Sequence, residues 1–228
     1  MSDPLPPYRR TVVARRHPLG DGRERVTTRA DDWFHGFEVV LVVDGGAVVE
    51  AGATSHRHPW TTCTGALPSV DRLVGVPLAQ APSALLRAGR AATCVHVNDL
   101  VWLAAQGHER RRYEVTVTPD LLTVERDDAP VLSWPLDGWI VSAGPFVGTS
   151  PVGAGFASVL DELGADADLR EAVRVARRGA SVGMGYFVLD WPALGSGRDV
   201  PRQVMADTCH AFSAGVIDRT IRVATPPG

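Results

Sequence analysis

Apolar and polar residues alternate along the first part of the chain in the pattern of β-strands. The turn Asp44-Gly45-Gly46 separates an apolar, β-branched run from a shorter run that returns, which is typical of a β-hairpin. The strands are predicted at residues 8–15, 23–30, 37–43 and 47–51.

Helical periodicity follows the hairpin, and strands then resume. Thr93 is predicted to cap the longest helix of this stretch, and a capping box at Asp168 predicts a later helix that ends at Gly179. Glycines at residues 153–155 and 183–185 predict a loop and a tight turn. Helices are predicted at residues 67–74, 82–88, 94–106 and 168–179, and strands at residues 113–118, 121–125, 131–134 and 139–142.

The order of these elements predicts an α+β fold, in which an antiparallel β-hairpin sheet packs with helices. Strands followed by helices occur twice, so we expect two halves, at residues 1–109 and 110–228. The composition changes at a charged run near residues 107–112, and no Gly/Ser-rich or Pro-rich linker separates the halves. The second half is therefore expected to pack on the first.

Charge and composition exclude several functions. The chain contains 23 Lys and Arg residues, and reading the sequence shows that all of them are arginine. A lysine Schiff base and a P-loop lysine are therefore excluded. The net charge of −3 gives no electrostatic footprint for nucleic acid, so a small-molecule substrate is the expected partner, with a homo-oligomer possible.

The distribution of apolar residues predicts a cytoplasmic protein. No run approaches the ~18 apolar residues that a membrane-spanning helix needs. The polar, proline-rich start of the chain has no segment typical of a signal peptide. In the reducing cytoplasm, the three cysteines are expected to carry no disulfide, and their odd number agrees with this.

The reactive side chains concentrate between residues 35 and 96. Thiolates and imidazoles are the usual protein ligands of zinc and iron, so this cluster predicts a metal or thiolate site. A helix that begins near Cys94 would favour the thiolate form of its side chain. Buried cysteines and isolated histidines are also common without any such role, and the spacing leaves this alternative open. The cluster consists of His35, His56, His58, Cys63, Cys94 and His96.

The cysteine-bearing motifs resemble those of a bacterial family known as domain of unknown function 2889. The matching motifs are a Pro…Cys element ending at Cys63, Leu73-Val74-Gly75, and a late element that runs from Thr93 to Leu100 and includes Cys94 and His96. The resemblance covers roughly residues 8–107. The family name itself implies no activity.

The same half is similar, more distantly, to iron–sulfur scaffold and sulfur-transfer proteins of the NifU and SufU type. Cys63 and Cys94 match the second and third ligands of those proteins. Their first ligand lies in a Cys-Gly-Asp element, where this chain has His35-Gly36-Phe37. The histidine in place of the cysteine and the phenylalanine in place of the aspartate argue against a cluster scaffold. The resemblance instead implies one zinc or iron ion bound by His35, Cys63, Cys94 and also His96.

A site of this kind predicts a small-molecule enzyme. An ion with an open position would act as a Lewis acid or activate water, with His58 or Asp99 as the proton carrier. We expect hydrolysis, hydration/elimination or isomerisation of an apolar-aromatic or acyl substrate. The alternative is a non-catalytic iron–sulfur or sulfur carrier, or a structural zinc protein. An ion with three protein ligands and one water would favour the enzyme. An ion whose four positions are all filled by protein ligands would favour the alternative.

Overall fold

The computed structural model of the protein describes residues 5–144, 146–152 and 166–223, so the loop predicted at residues 153–155 lies outside them. The strands are β1 Tyr8–Pro18, β2 Glu24–Asp32, β3 Gly36–Asp44, β4 Ala47–Arg57, β5 Arg110–Val117, β6 Leu121–Arg126, β7 Ala129–Asp137 and β8 Ile140–Val141. The α-helices are α1 Ala81–Arg87, α2 Val95–Ala104, α3 Ala167–Val188 and α4 Arg202–Met205. Short 3-10 helices are found at Cys63–Leu73, Leu78–Gln80, Trp191–Ala193, His210–Phe212 and Ile217–Arg219.

The strands form an eight-stranded antiparallel sheet, in the order β4-β3-β2-β1-β5-β6-β7-β8. Helices account for a similar share of the described residues as strands do. The α+β class expected from the sequence is thereby confirmed.

The chain divides into two compact units. The first unit contains the chain up to Val12 together with Arg112–Leu189. The second unit contains Val13–Arg111 and the segment that begins at Asp190. The boundary expected between residues 109 and 110 lies next to the change of unit at Arg112, while the segment after Asp190 belongs to the same unit as the candidate cluster.

β3 and β4 form the hairpin that the turn chemistry predicts. Gly45 and Gly46 connect the two strands with φ angles of 54° and 83°, a region that residues with a Cβ rarely adopt. Most of β3 is buried because its sequence is apolar, and Phe37, Val39 and Leu41 are fully buried. α2 packs against β2 and β3 in the same unit.

Two helices of the second unit begin differently from the prediction. The helix expected at residues 67–74 is the longer 3-10 helix Cys63–Leu73, which contains Pro68; proline cannot donate the hydrogen bond that an α-helix needs there. Cys94 and not Thr93 is the N-cap of α2, with extended backbone (φ −104°, ψ 132°). The Thr93 hydroxyl instead donates to a carbonyl of the preceding turn at 3.1 Å.

α3 is longer than predicted at both ends. Asp166 is its N-cap and accepts a hydrogen bond from the backbone N–H of Leu169 at 2.9 Å. The helix continues past Gly179, so the predicted end there and the predicted turn at residues 183–185 are wrong. A Cβ at Gly179 would lie 2.4 Å from Cγ1 of Val115, so this glycine permits a close approach to β5 and does not end the helix. Neither α3 nor any other helix of the described residues is long and apolar enough to cross a membrane.

Candidate functional site

Asp32 organises the tight turn between β2 and β3. Its Oδ1 accepts hydrogen bonds from the backbone N–H groups of Phe34 and His35, both at 2.8 Å. The same oxygen lies 3.0 Å from Nδ1 of His35, and the backbone N–H of Asp32 donates to the His35 carbonyl at 2.8 Å. The Asp32 side chain is fully buried, and that of His35 is 11% exposed. The turn therefore holds the imidazole of His35 in one orientation.

The contact between Asp32 and His35 determines which ring nitrogen is available. When Asp32 is ionised, its carboxylate only accepts hydrogen bonds, so Nδ1 of His35 is the donor. In the neutral ring, Nε2 is then the unprotonated nitrogen that can accept a proton. A buried carboxylate that orients a histidine in this way is a recurring arrangement in general base catalysis.

His96 lies against this pair from the first turn of α2. Its ring centroid is 3.9 Å from that of His35 and 5.7 Å from that of Phe37, with which it is nearly parallel. His96 is buried, with 7% of its surface exposed. The two imidazoles thus pack against each other and against an aromatic ring, which limits the access of water to them.

His58 completes the group from the end of β4. Its Nδ1 lies 3.1 Å from the hydroxyl of Ser55. Burial lowers the pKa of His58, and the nearby His35 lowers it further. We call Asp32, His35, His58 and His96 the histidine cluster.

Two other residues of the sequence-based prediction occupy different positions. Asp99 is half-buried on α2, three residues after His96, and such a spacing places both on one face of a helix. His56 lies outside the histidine cluster: its side chain is 47% exposed, and its Nε2 is 2.9 Å from Asp31. Its ring covers Gly36, where a Cβ would lie 2.2 Å from Nε2 of His56.

The predicted metal ligands fall into two groups. His35 and His96 are in ring contact. Burial raises the pKa of the Cys63 thiol, whereas Cys94 and Cys209 lie close enough to Cys63 to raise this pKa further. α2 begins after Cys94, as joint binding by Cys94 and His96 requires. Even so, in the parts of the chain that the structure describes, no three His, Cys, Asp or Glu side chains are arranged to hold one ion.

Metal binding by His35, Cys63, Cys94 and His96 therefore stays a prediction with its own test. If these residues bind zinc or iron, untagged protein should contain about one equivalent, because such sites bind tightly. Cys63→Ser and Cys94→Ser should each lose the ion, because a hydroxyl is a poorer ligand than a thiolate, and Cys209→Ser should retain it. Elemental analysis measures this. Protein without stoichiometric metal would contradict the prediction, and unfolding on metal loss would favour the structural zinc or carrier alternative.

Aromatic rings extend the apolar surface beside the turn. The ring of Phe34 stacks on that of Trp191, with centroids 4.3 Å apart. Trp191 is half-buried and comes from the segment after Asp190. This contact brings residues far apart in sequence next to His35.

Comparison with known proteins concerns mainly the N-terminal half. Residues 15–108 match the family described as "Protein of unknown function (DUF2889)". The resemblance noted from the cysteine motifs is thus supported, and this segment contains the whole histidine cluster. No curated protein matches the chain, so the similarity to NifU-type and SufU-type proteins stays a prediction.

One solved structure that the chain matches is sheep galectin-11 in complex with glycerol. The match has 10% sequence identity and a TM-score of 0.16, and it covers 59% of this chain and 76% of the galectin.

Proposed function

We propose that the protein is an enzyme that acts on a small-molecule substrate by general acid–base catalysis at the histidine cluster. The contact between Asp32 and His35 is the observation that carries this proposal. The fully buried carboxylate of Asp32 accepts three hydrogen bonds from one turn and so holds the ring of His35 in one orientation. Such preorganisation is typical of catalytic bases.

The members of the cluster have different roles in this proposal. His35 accepts a proton from the substrate or from water at Nε2, and Asp32 stabilises the imidazolium that forms. The lowered pKa of His58 favours its neutral ring, which can accept the proton and pass it on. A positioned acid or base of this kind contributes about 10²–10⁴-fold to a rate.

The surroundings of the cluster support an apolar-aromatic or acyl substrate. Phe34 and Phe37 contact the ring of His35, and Phe37 also stacks on His96. Trp191 extends this apolar surface from Phe34. Apolar walls with a few convergent polar groups are characteristic of small-molecule sites. The reaction classes that suit one oriented base are hydrolysis, hydration/elimination and isomerisation by proton transfer.

A substrate panel tests the proposal. The panel consists of aryl and alkyl esters, acyl thioesters, α,β-unsaturated acyl compounds and β,γ-unsaturated ketones, each followed by absorbance. Wild-type protein should convert at least one class faster than His35→Gln does, because only the wild type has the proton acceptor. Equal rates for both proteins on every class that either converts, or conversion of none, would refute acid–base catalysis at His35.

A further inference from the structure

The three cysteines lie on segments that pack together in the second unit, although they are far apart in sequence. Cys63 begins the 3-10 helix Cys63–Leu73, which contacts the 3-10 helix His210–Phe212 directly after Cys209. A Cβ at Gly65 would lie 2.5 Å from Nε2 of His210, which shows how closely these helices approach. No disulfide joins the cysteines in the structure.

Cys94 and Cys209 adjoin the two ends of one backbone hydrogen bond. The N–H of His210 donates to the carbonyl of Thr93 at 3.0 Å, and Nδ1 of His210 lies 2.7 Å from the carbonyl of Ala91. Cys94 and Cys209 are both extended, with φ and ψ of −104° and 132° and of −159° and 178°. The hydrogen bond between their neighbours keeps the two extended backbones close together, and a disulfide needs a Cα separation of about 4.4–6.8 Å.

We propose that Cys94 and Cys209 form a thiol pair that a hydroperoxide oxidises to a disulfide. The half-exposed Cys209 thiolate attacks one peroxide oxygen, the O–O bond breaks, and water and a sulfenic acid form. The Cys94 thiolate then attacks this sulfur, the S–O bond breaks, and a second water leaves. Two thiols are oxidised to one disulfide, and hydrogen peroxide is reduced to two waters.

Cys63 differs from the pair in its surroundings. Cys63 begins the 3-10 helix Cys63–Leu73, and its backbone N–H donates to the carbonyl of Trp60 at 3.0 Å, within its own segment. The backbone hydrogen bond that joins the segments of Cys94 and Cys209 does not involve it, so Cys63 serves as the internal control of the oxidation.

Peptide mapping of the full chain after oxidation tests the pair. Protein treated with hydrogen peroxide and then alkylated under denaturing conditions should lose two hydrogens, carry one alkyl group on Cys63, and yield a cross-linked peptide that contains Cys94 and Cys209. The disulfide should disappear on reduction with dithiothreitol and should raise the Tm, because it constrains the unfolded chain.

Serine variants assign the thiols independently. Cys94→Ser and Cys209→Ser should abolish the intramolecular cross-link, and Cys63→Ser should retain it. A cross-link that contains Cys63, cross-links between chains only, or conversion of the thiols to sulfinic acids without a cross-link would each overturn the proposal. The wild-type map alone decides the pairing, so the result does not depend on the folding of any variant.

Discussion

Replacing His35 by glutamine should lower kcat/KM for the substrate class found in the panel by about 10²–10⁴-fold, while the protein stays folded. Glutamine can still donate an amide N–H to Asp32, so the buried carboxylate keeps a partner in place of Nδ1. It has no group that accepts a proton at the position of Nε2. Steady-state kinetics measure the loss, and circular dichroism with thermal unfolding checks the fold.

Two further substitutions make this result specific. Asp32→Asn should also lower kcat, because an asparagine side chain can donate to Nδ1 of His35 and thereby favour the wrong tautomer. His56→Gln is the matched control, since His56 lies outside the histidine cluster and its side chain is 47% exposed. Its activity should stay close to that of the wild type. If His35→Gln retained full activity, or if His56→Gln lost as much, the assigned base would be wrong.

Local signals predicted the hairpin correctly. The turn at Gly45 and Gly46 depends on φ angles that glycine adopts without strain, so the sequence is sufficient there. The sequence also singled out His35, His58 and His96. It did not single out Asp32, although Asp32 precedes His35 by only three residues. Aspartate at such a spacing forms a local turn in many loops, so the spacing alone carries little information.

The contacts made by Trp191 and Cys209 depend on long-range packing. Trp191 and Cys209 lie more than ninety residues beyond His96 in sequence, yet Trp191 stacks on Phe34 and Cys209 adjoins the start of α2. Neither position belongs to a periodic or motif pattern that links it to the cluster. Tertiary packing of the segment after Asp190 brings them there, and no local propensity encodes it.

Packing also explains why the end of α3 was predicted incorrectly. Glycine is common just after helices, so Gly179 favoured a predicted helix end at this position. In the structure it lies in the interior of α3, where glycine costs about 1 kcal/mol relative to alanine. The absent Cβ leaves room for Val115 of β5. A glycine at a helix end and a glycine inside a closely packed helix look the same in the sequence. Only the position of the neighbouring strand distinguishes them.

Gly179→Val should therefore lower the free energy of unfolding by about 2–3 kcal/mol, toward the upper part of the usual range for overpacked cores. The new Cβ would lie 2.4 Å from Cγ1 of Val115, which is fully buried and paired with Val124 in β6. A β-branched side chain in a sheet has little rotamer freedom, so Val115 cannot move aside without shifting the strand or the helix. Denaturant unfolding measures the loss, and the Tm should fall by about 4–12 °C.

Gly185→Val is the matched control, because it places the same side chain in the same helix. A Cβ at Gly185 would meet only Cδ1 of Leu189, at 3.8 Å, which is ordinary van der Waals contact. The free energy of unfolding of this variant should stay within about 0.5 kcal/mol of the wild-type value. Valine has a slightly higher helix propensity than glycine, and here its side chain causes no clash. The difference between the two variants then measures the close approach of α3 to β5 alone. Equal losses at both positions would mean that valine disturbs α3 itself, and that Gly179 is not required by the packing against Val115.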